Sequence, residues 1–162
     1  MKKEIRRLSE SEITGALDLA WDVFSEFTAE LCTEEGIEEF WQKTDHEYMI
    51  SRMGDGECRA WGAFADGRLC GMCVMREPCR VEMLFVEGPS QRRHIGSLLL
   101  KKAVMDEKKT DDTLMKVTVN SFKSAVGFFE KMGFAPAGEE SDEDGIPVLP
   151  MEAHGKVEII KP

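Results

Sequence analysis

Gln91, Arg92, Arg93, His94, Ile95 and Gly96 bring together, in consecutive positions, the residue types that could hold a phosphate. The first N–H groups of a helix lack partners inside it and sit at the positive end of its dipole, so a helix that starts here presents donors to an anion. Arg92 and Arg93 add full charges beside that terminus, and Gly96 has no Cβ to hold a diphosphate off the backbone. The flanking residues supply the terminus itself. Met83, Leu84, Phe85 and Val86 form a near-continuous apolar run, as a strand covered on both faces does, and Pro89 stops it. After the basic residues, Ile95, Leu98, Leu99, Leu100, Ala103 and Val104 have the spacing of a helix packed on a sheet, with Ser97 in its first turn. The order is strand, short loop, helix N-terminus.

A second element follows. Met115, Val117 and Val119 alternate as a strand does, Asn120 ends it, and Ala125, Phe128, Phe129 and Met132 recur at helical spacing after Ser124, with Gly133 as the C-cap. Together the two elements resemble the GNAT superfamily of acyl-CoA-dependent N-acetyltransferases, whose signature is Gln or Arg, two residues, Gly, one residue, then Gly or Ala. His94 stands where the first Gly usually sits, and His is among the better non-Gly residues at positive φ. The resemblance implies a single α/β domain over residues 1–162, with a mixed, mostly antiparallel central sheet flanked by helices. It implies acetyl-CoA as co-substrate and direct transfer of the acetyl group to a primary amine. It also implies that the backbone of Leu84, Phe85 and Val86 holds the pantetheine and polarises the thioester. Gln91, Arg92, Arg93, His94, Ile95, Gly96 and Ser97 would then take the phosphates, and Asn120, Ser124, Phe128 and Phe129 would complete the coenzyme A site. Phe129 occupies the place of a Tyr that protonates the departing thiolate in many members, which keeps open a non-catalytic acyl-CoA binder or sensor.

Such a transfer needs a group to accept the ammonium proton and donors for a tetrahedral oxyanion. Glu82 is the candidate base: on a regular strand it shares the face of Leu84 and Val86, among apolar neighbours that raise a carboxyl pKa. The alternatives are an edge or salt-bridged glutamate, with water taking the proton. Trp21 and Phe24 belong to an apolar stripe with Ile13, Leu17 and Leu31, and read either as core or, by the resemblance, as walls of the acceptor pocket. The run EESDED at 139–144 reads as a solvated hairpin loop or as an acidic lip on the acceptor mouth.

With 162 residues, 42% of them hydrophobic, the chain suits one buried core rather than two. A net charge of −10 excludes a general nucleic-acid surface and makes the basic island of Arg92, Arg93, His94, Lys101 and Lys102 conspicuous; the remaining acidity favours a cationic acceptor, a small-molecule or peptide amine. The chain has no run of 18 apolar residues, and MKKEIRRLSESE lacks a signal-peptide core, so a soluble cytoplasmic protein without membrane contact is expected. Its five cysteines read as reduced thiols. Cys70 and Cys73, three apart on an expected strand, should point to opposite faces and share no metal. His46, His94 and His154 are dispersed, and no metal is expected. Neither G-x-x-x-x-G-K-[ST] nor G-x-G-x-x-G occurs, which disfavours a nucleotide-binding module. Oligomeric state stays open, a homodimer being the commonest assembly.

Pattern and punctuation predict the remaining elements. Strands are expected at 3–8, 59–64, 68–75, 81–86, 134–139 and 147–154, with an Asp66-Gly67 hairpin between the second and third. Ser9 and Glu12 form a capping box before the first helix, Thr33 caps a second through Trp41, and Thr44 with Glu47 opens a third over 45–53. A turn is expected at 108–112, and Tyr48 reads as a partly buried packing residue.

Overall fold

The computed structural model describes residues 2–91 and 93–155. The period-two stretches form strands β1 (Lys3–Leu8), β2 (Cys58–Ala65), β3 (Arg68–Arg76), β4 (Arg80–Val86), β5 (Lys116–Phe122), β6 (Ala135–Pro136), β7 (Ser141–Glu143) and β8 (Ile146–His154). They make one sheet in the order β1-β2-β3-β4-β5-β8-β6, with β7 also on β8, and all pairings are antiparallel except β4 with β5. Two hairpins turn on residues at positive φ: Asp66 (φ 51°) with Gly67 (φ 83°), and Asp144 (φ 54°) with Gly145 (φ 98°). Both pairs have the backbone sign that a two-residue turn needs to match strand twist.

Helices cover both faces. On one lie α1 (Ile13–Phe27), α2 (Glu34–Lys43) and α3 (His46–Gly54), whose Phe24, Phe40 and Met49 join Met72, Val74, Met83 and Phe85 in one core. On the other lie α4 (Ile95–Thr110) and α5 (Val126–Lys131), whose Leu99, Leu100, Ala103 and Phe129 pack on Trp61, Cys73, Met75 and Val81. The sequence accounts for the helix starts. Ser9 and Glu12 form the capping box, Ser9 N–H donating to Glu12 Oε1 at 3.0 Å, ahead of a short 3-10 turn that runs into α1. Thr33 Oγ1 accepts from Gly36 N at 3.2 Å at the head of α2. Gly36 is required there, because a Cβ would lie 2.3 Å from the carbonyl oxygen of Gly145, where α2 meets the β7–β8 turn.

Several expectations change. Asp45, not Thr44, caps α3, accepting from Tyr48 N at 2.9 Å, while the Thr44 hydroxyl donates back to the Trp41 carbonyl at 2.7 Å. Asp45 directly precedes the first helical residue, so its carboxylate reaches the N3 amide, and Thr44 is left to close α2. α4 runs through Thr110, beyond the turn expected at 108–112. β5 continues two residues past Asn120, because β8 stays in register with it as far as Phe122↔Val148. Tyr48 is 50% exposed, with the Arg52 guanidinium 5.1 Å from its ring centroid.

Regular alternation fails at two bulges. In β2–β3 the register passes from Ala63↔Gly71 to Phe64↔Leu69, leaving Cys70 unpaired. Cys70 and Cys73 therefore fall in the same α4-side core, not on opposite faces. In β3–β4 the register passes from Val74↔Met83 to Met75↔Val81, leaving Glu82 unpaired.

Candidate functional site

Parallel β4 and β5 pair at only two positions, Arg80↔Thr118 and Val81↔Val119. Beyond these, β4 follows β3 as far as Val86 and β5 follows β8 as far as Phe122, so the two strands splay apart. The gap opens into a cleft of about 620 Å³ whose walls include Leu84, Phe85 and Val86 on one side and Phe122, Ser124, Ala125, Phe128 and Phe129 on the other. Glu87 N–H donates to the Cys70 carbonyl of β3 at 2.9 Å. By alternation, the backbone groups of Leu84 and Val86 then point away from β3, toward the cleft. Gln91 Nε2 donates to the Val86 carbonyl at 2.9 Å, which caps the acceptor of that residue and leaves its N–H facing the gap.

The N-terminus of α4 lines the outer end. His94 is its N-cap at φ 62°, ψ 15°, in the left-handed region, so the position held by a non-glycine residue does need positive φ. The first intrahelical bond is Leu98 N–H to the His94 carbonyl at 3.0 Å, so the N–H groups of Ile95, Gly96 and Ser97 have no helical partner. His94, Ile95, Gly96 and Ser97 all line the cleft. At Gly96 a Cβ would sit 3.3 Å from the Phe128 ring and 3.8 Å from Val86. The missing side chain makes room for the facing cleft wall. Gln91 and Arg93 are exposed beside this terminus, the Arg93 carbonyl accepting from Lys3 Nζ at 3.2 Å, and Arg92 lies outside the described residues. Ser124 is exposed at the rim. Phe129 is 4% exposed and stacks edge-on with Phe128 and Phe134. Gly133, at φ 95°, ends α5 in a Schellman arrangement, with Phe134 N–H on the Phe129 carbonyl at 3.0 Å and Gly133 N–H on the Glu130 carbonyl at 3.1 Å.

Leu84, Phe85, Phe122, Ala125 and Phe129 also line a second, smaller chamber of about 70 Å³. Its polar walls include Lys43, Arg76, Arg80, Glu82, Asn120 and Glu143. Asn120 thus lines this chamber rather than the main cleft, its Nδ2 donating to Glu143 Oε2 at 3.0 Å. Glu82 is not on the face of Leu84 and Val86. The bulge turns it toward α3, where Arg52 Nη2 donates to its Oε2. Its other oxygen lies 3.8 Å from Arg76 Nη1, so guanidinium groups rather than an apolar surround face it. Both partners of the Arg52–Glu82 pair are 8% exposed. Burial opposes the Arg52 charge, but bonds to Glu57 and Glu82 outweigh it and hold the guanidinium ionised.

Sequence reasoning missed Arg52, Arg76, Arg80, Lys43 and Glu143, which converge from α3, β3, β4, α2 and β7. Only the acidic run pointed toward Glu143. The run forms β7 and its turn, and Glu143 reaches inward to Asn120, with Lys43 at 3.9 Å. Trp21 and Phe24 line neither space. Phe24 is fully buried, stacked 4.0 Å from Phe40, and Phe40 supplies the aromatic wall instead. Burial pushes the Cys58 and Cys79 thiols up to about 11 and raises Cys70 and Cys73 as well, which suits packing rather than reactivity. Among the described residues no group of His, Cys, Asp and Glu could hold a metal, and no helix is long and apolar enough to cross a membrane.

A splayed parallel pair, a helix terminus at its mouth and a mixed sheet between helices define the class: the chain belongs to the GNAT acetyltransferase family and is an acyltransferase, its residues 28–154 matching the acetyltransferase (GNAT) domain profile. The fold is similar to that of the PaiA N-acetyltransferase from Thermoplasma acidophilum, solved in complex with coenzyme A, with TM-score 0.78 and 23% identity over 96% of this chain and 100% of that one. A GCN5-related N-acetyltransferase from Rhodopseudomonas palustris gives TM-score 0.78 at 17% identity over 95% and 96% of the two chains. A spermidine N-acetyltransferase SpeG chimera from Vibrio cholerae and hSSAT gives TM-score 0.67 at 18% identity over 95% and 96% of the two chains. No curated protein matches the chain in sequence.

Proposed function

We propose that the protein transfers an acetyl group from acetyl-CoA to a primary amine by direct attack, without a covalent enzyme intermediate. The observation that carries this is the splay of β4 from β5, which leaves the Leu84 and Val86 backbone facing a cleft that ends at the free N–H groups of α4. The diphosphate lies on Ile95, Gly96 and Ser97, with basic side chains adding charge, and the pantetheine runs along β4 into the gap. The Val86 N–H is positioned to stabilise the oxyanion formed when the amine nitrogen attacks the thioester carbon. The C–S bond then breaks. Glu82 takes the ammonium proton through the oxygen that Arg52 does not hold. With Phe129 in the wall, the thiolate is protonated by solvent, which a thiol leaving group tolerates.

The test is release of free thiol from acetyl-CoA across an amine panel, beside calorimetric binding of coenzyme A. Transfer predicts amine-dependent thiol release. Tight binding with no release from any amine would replace the transfer reading with an acyl-CoA sensor.

A further inference from the structure

Arg76 and Arg80 are register partners on antiparallel β3 and β4, so their side chains leave the sheet on the same face, one opposite the other. Like charges set directly opposite across a ladder repel, a cost that an anion between them offsets. Glu82 supplies part of that compensation, yet its Oε2 is committed to Arg52 and its Oε1 stands 3.8 Å from Arg76. The Arg80 side chain has no hydrogen bond or ion pair with any described residue, its ladder partners Arg76 and Thr118 being met through the backbone. It is half-buried and lines the small chamber that shares walls with the cleft. The other cation there, Lys43, stands 3.9 Å from Glu143. One positive charge in the chamber is therefore uncompensated by protein.

We propose that the acceptor carries its own carboxylate, and that Arg80 binds it while Glu82, two residues along the same strand, receives the ammonium. The substrate class is a small amino acid rather than a diamine or polyamine. A planar guanidinium fork matches a carboxylate in two parallel bonds, and a chamber of about 70 Å³ has room for few atoms beyond the amine and the acid. A polyamine would place a second cation against Arg76 and Arg80. This rests on the transfer reading, but the binding half stands without it.

The experiment compares kcat/KM for L-alanine, ethylamine and putrescine in the wild-type protein, Arg80→Gln and Arg80→Glu, and in parallel measures binding of N-acetyl-L-alanine to the coenzyme A complex by calorimetry. L-alanine should exceed ethylamine by more than tenfold in the wild type. Arg80→Gln should erase that ratio, chiefly through KM for L-alanine, and Arg80→Glu should invert it in favour of putrescine; unchanged coenzyme A affinity and melting temperature check that the variants are folded. Turnover of putrescine above L-alanine in the wild type, or a ratio that survives Arg80→Gln, overturns the inference and leaves the transfer reading standing. Absence of turnover with every amine, together with binding of N-acetyl-L-alanine that Arg80→Gln removes, defeats the transfer reading and leaves the carboxylate site standing.

Discussion

The two ends of the β4–β5 gap are built on different principles. The cleft end is made of backbone: N–H groups of Leu84, Val86, Ile95, Gly96 and Ser97, supplied by one continuous stretch of chain. The chamber end is made of charged side chains, Lys43, Arg76, Arg80, Glu82 and Glu143, drawn from four separate elements. Backbone donors read only a phosphate or a carbonyl and are indifferent to the rest of the ligand. Charged side chains can be exchanged one at a time, so under the proposed transfer the chamber is the end that would set acceptor choice.

The sharpest way to break this division is at Glu82. Glu82→Gln should lower kcat by about 10² to 10⁴ while leaving coenzyme A affinity unchanged, with the deficit shrinking at high pH as more amine arrives neutral. Because its partner Arg52 is buried, the variant's stability must be read as well. Arg52 keeps its bond to Glu57 at 2.7 Å, so the loss should stay below the roughly 3–5 kcal/mol of a buried charge left without a partner, and urea unfolding would measure it. A variant that keeps its turnover would take Glu82 out of the chemistry and leave it as the Arg52 counter-ion.

Gly96→Val tests the opposite end. A branched side chain would drive into Phe128 and Val86 and close the cleft, so coenzyme A binding should weaken by more than tenfold, or about 1.4 kcal/mol. Calorimetry showing unchanged affinity in a folded variant would remove the α4 terminus from the site. Phe129→Tyr lies between the two ends and should have a smaller effect. If thiolate protonation limits turnover, kcat rises several-fold with KM for acetyl-CoA nearly fixed; no change means the step is not limiting. Smallest of all is a control remote from both ends. The Arg6 guanidinium, with the Ser9 backbone, holds the Glu12 carboxyl well below its ordinary 4.5, at about 2. A depressed carboxyl stabilises the fold above its unfolded pKa, and that contribution disappears as pH falls from about 4.5 toward 2. Glu12→Gln should flatten the acid limb of the thermal stability curve in that window and leave both ends of the gap unaffected.

The same division decides what was legible in the sequence. The α4 terminus was readable because its chemistry is local: six consecutive residues fix the loop, the cap and the donors. The sheet was readable for a similar reason, β1 matching its expected span and the Asp66-Gly67 turn its expected place. Glu82 was assigned to the wrong face, because alternation assumes an unbroken ladder and this bulge left no mark in the residue pattern. Cys70 was misplaced for the same reason. Arg80 was invisible: a lone arginine at a strand start means nothing until Arg76 is known to stand opposite it. Trp21 and Phe24 do not border the chamber and Phe40 does, because three aromatic rings compete for one core and only packing decides which of them reaches the gap.

The two register pairs between β4 and β5 have a mechanical consequence. They are the only ladder contacts joining β1–β4 to β5–β8 among the described residues, so the sheet is in effect two plates riveted at one end. Opening the plates at the free end requires no backbone hydrogen bond to break, only apolar contacts to slide. A ligand lodged between them acts as a stitch. Its arrival should therefore be felt as stiffening, with slowed amide exchange along Leu84 to Val86 and Asn120 to Phe122, before any change in shape is measurable.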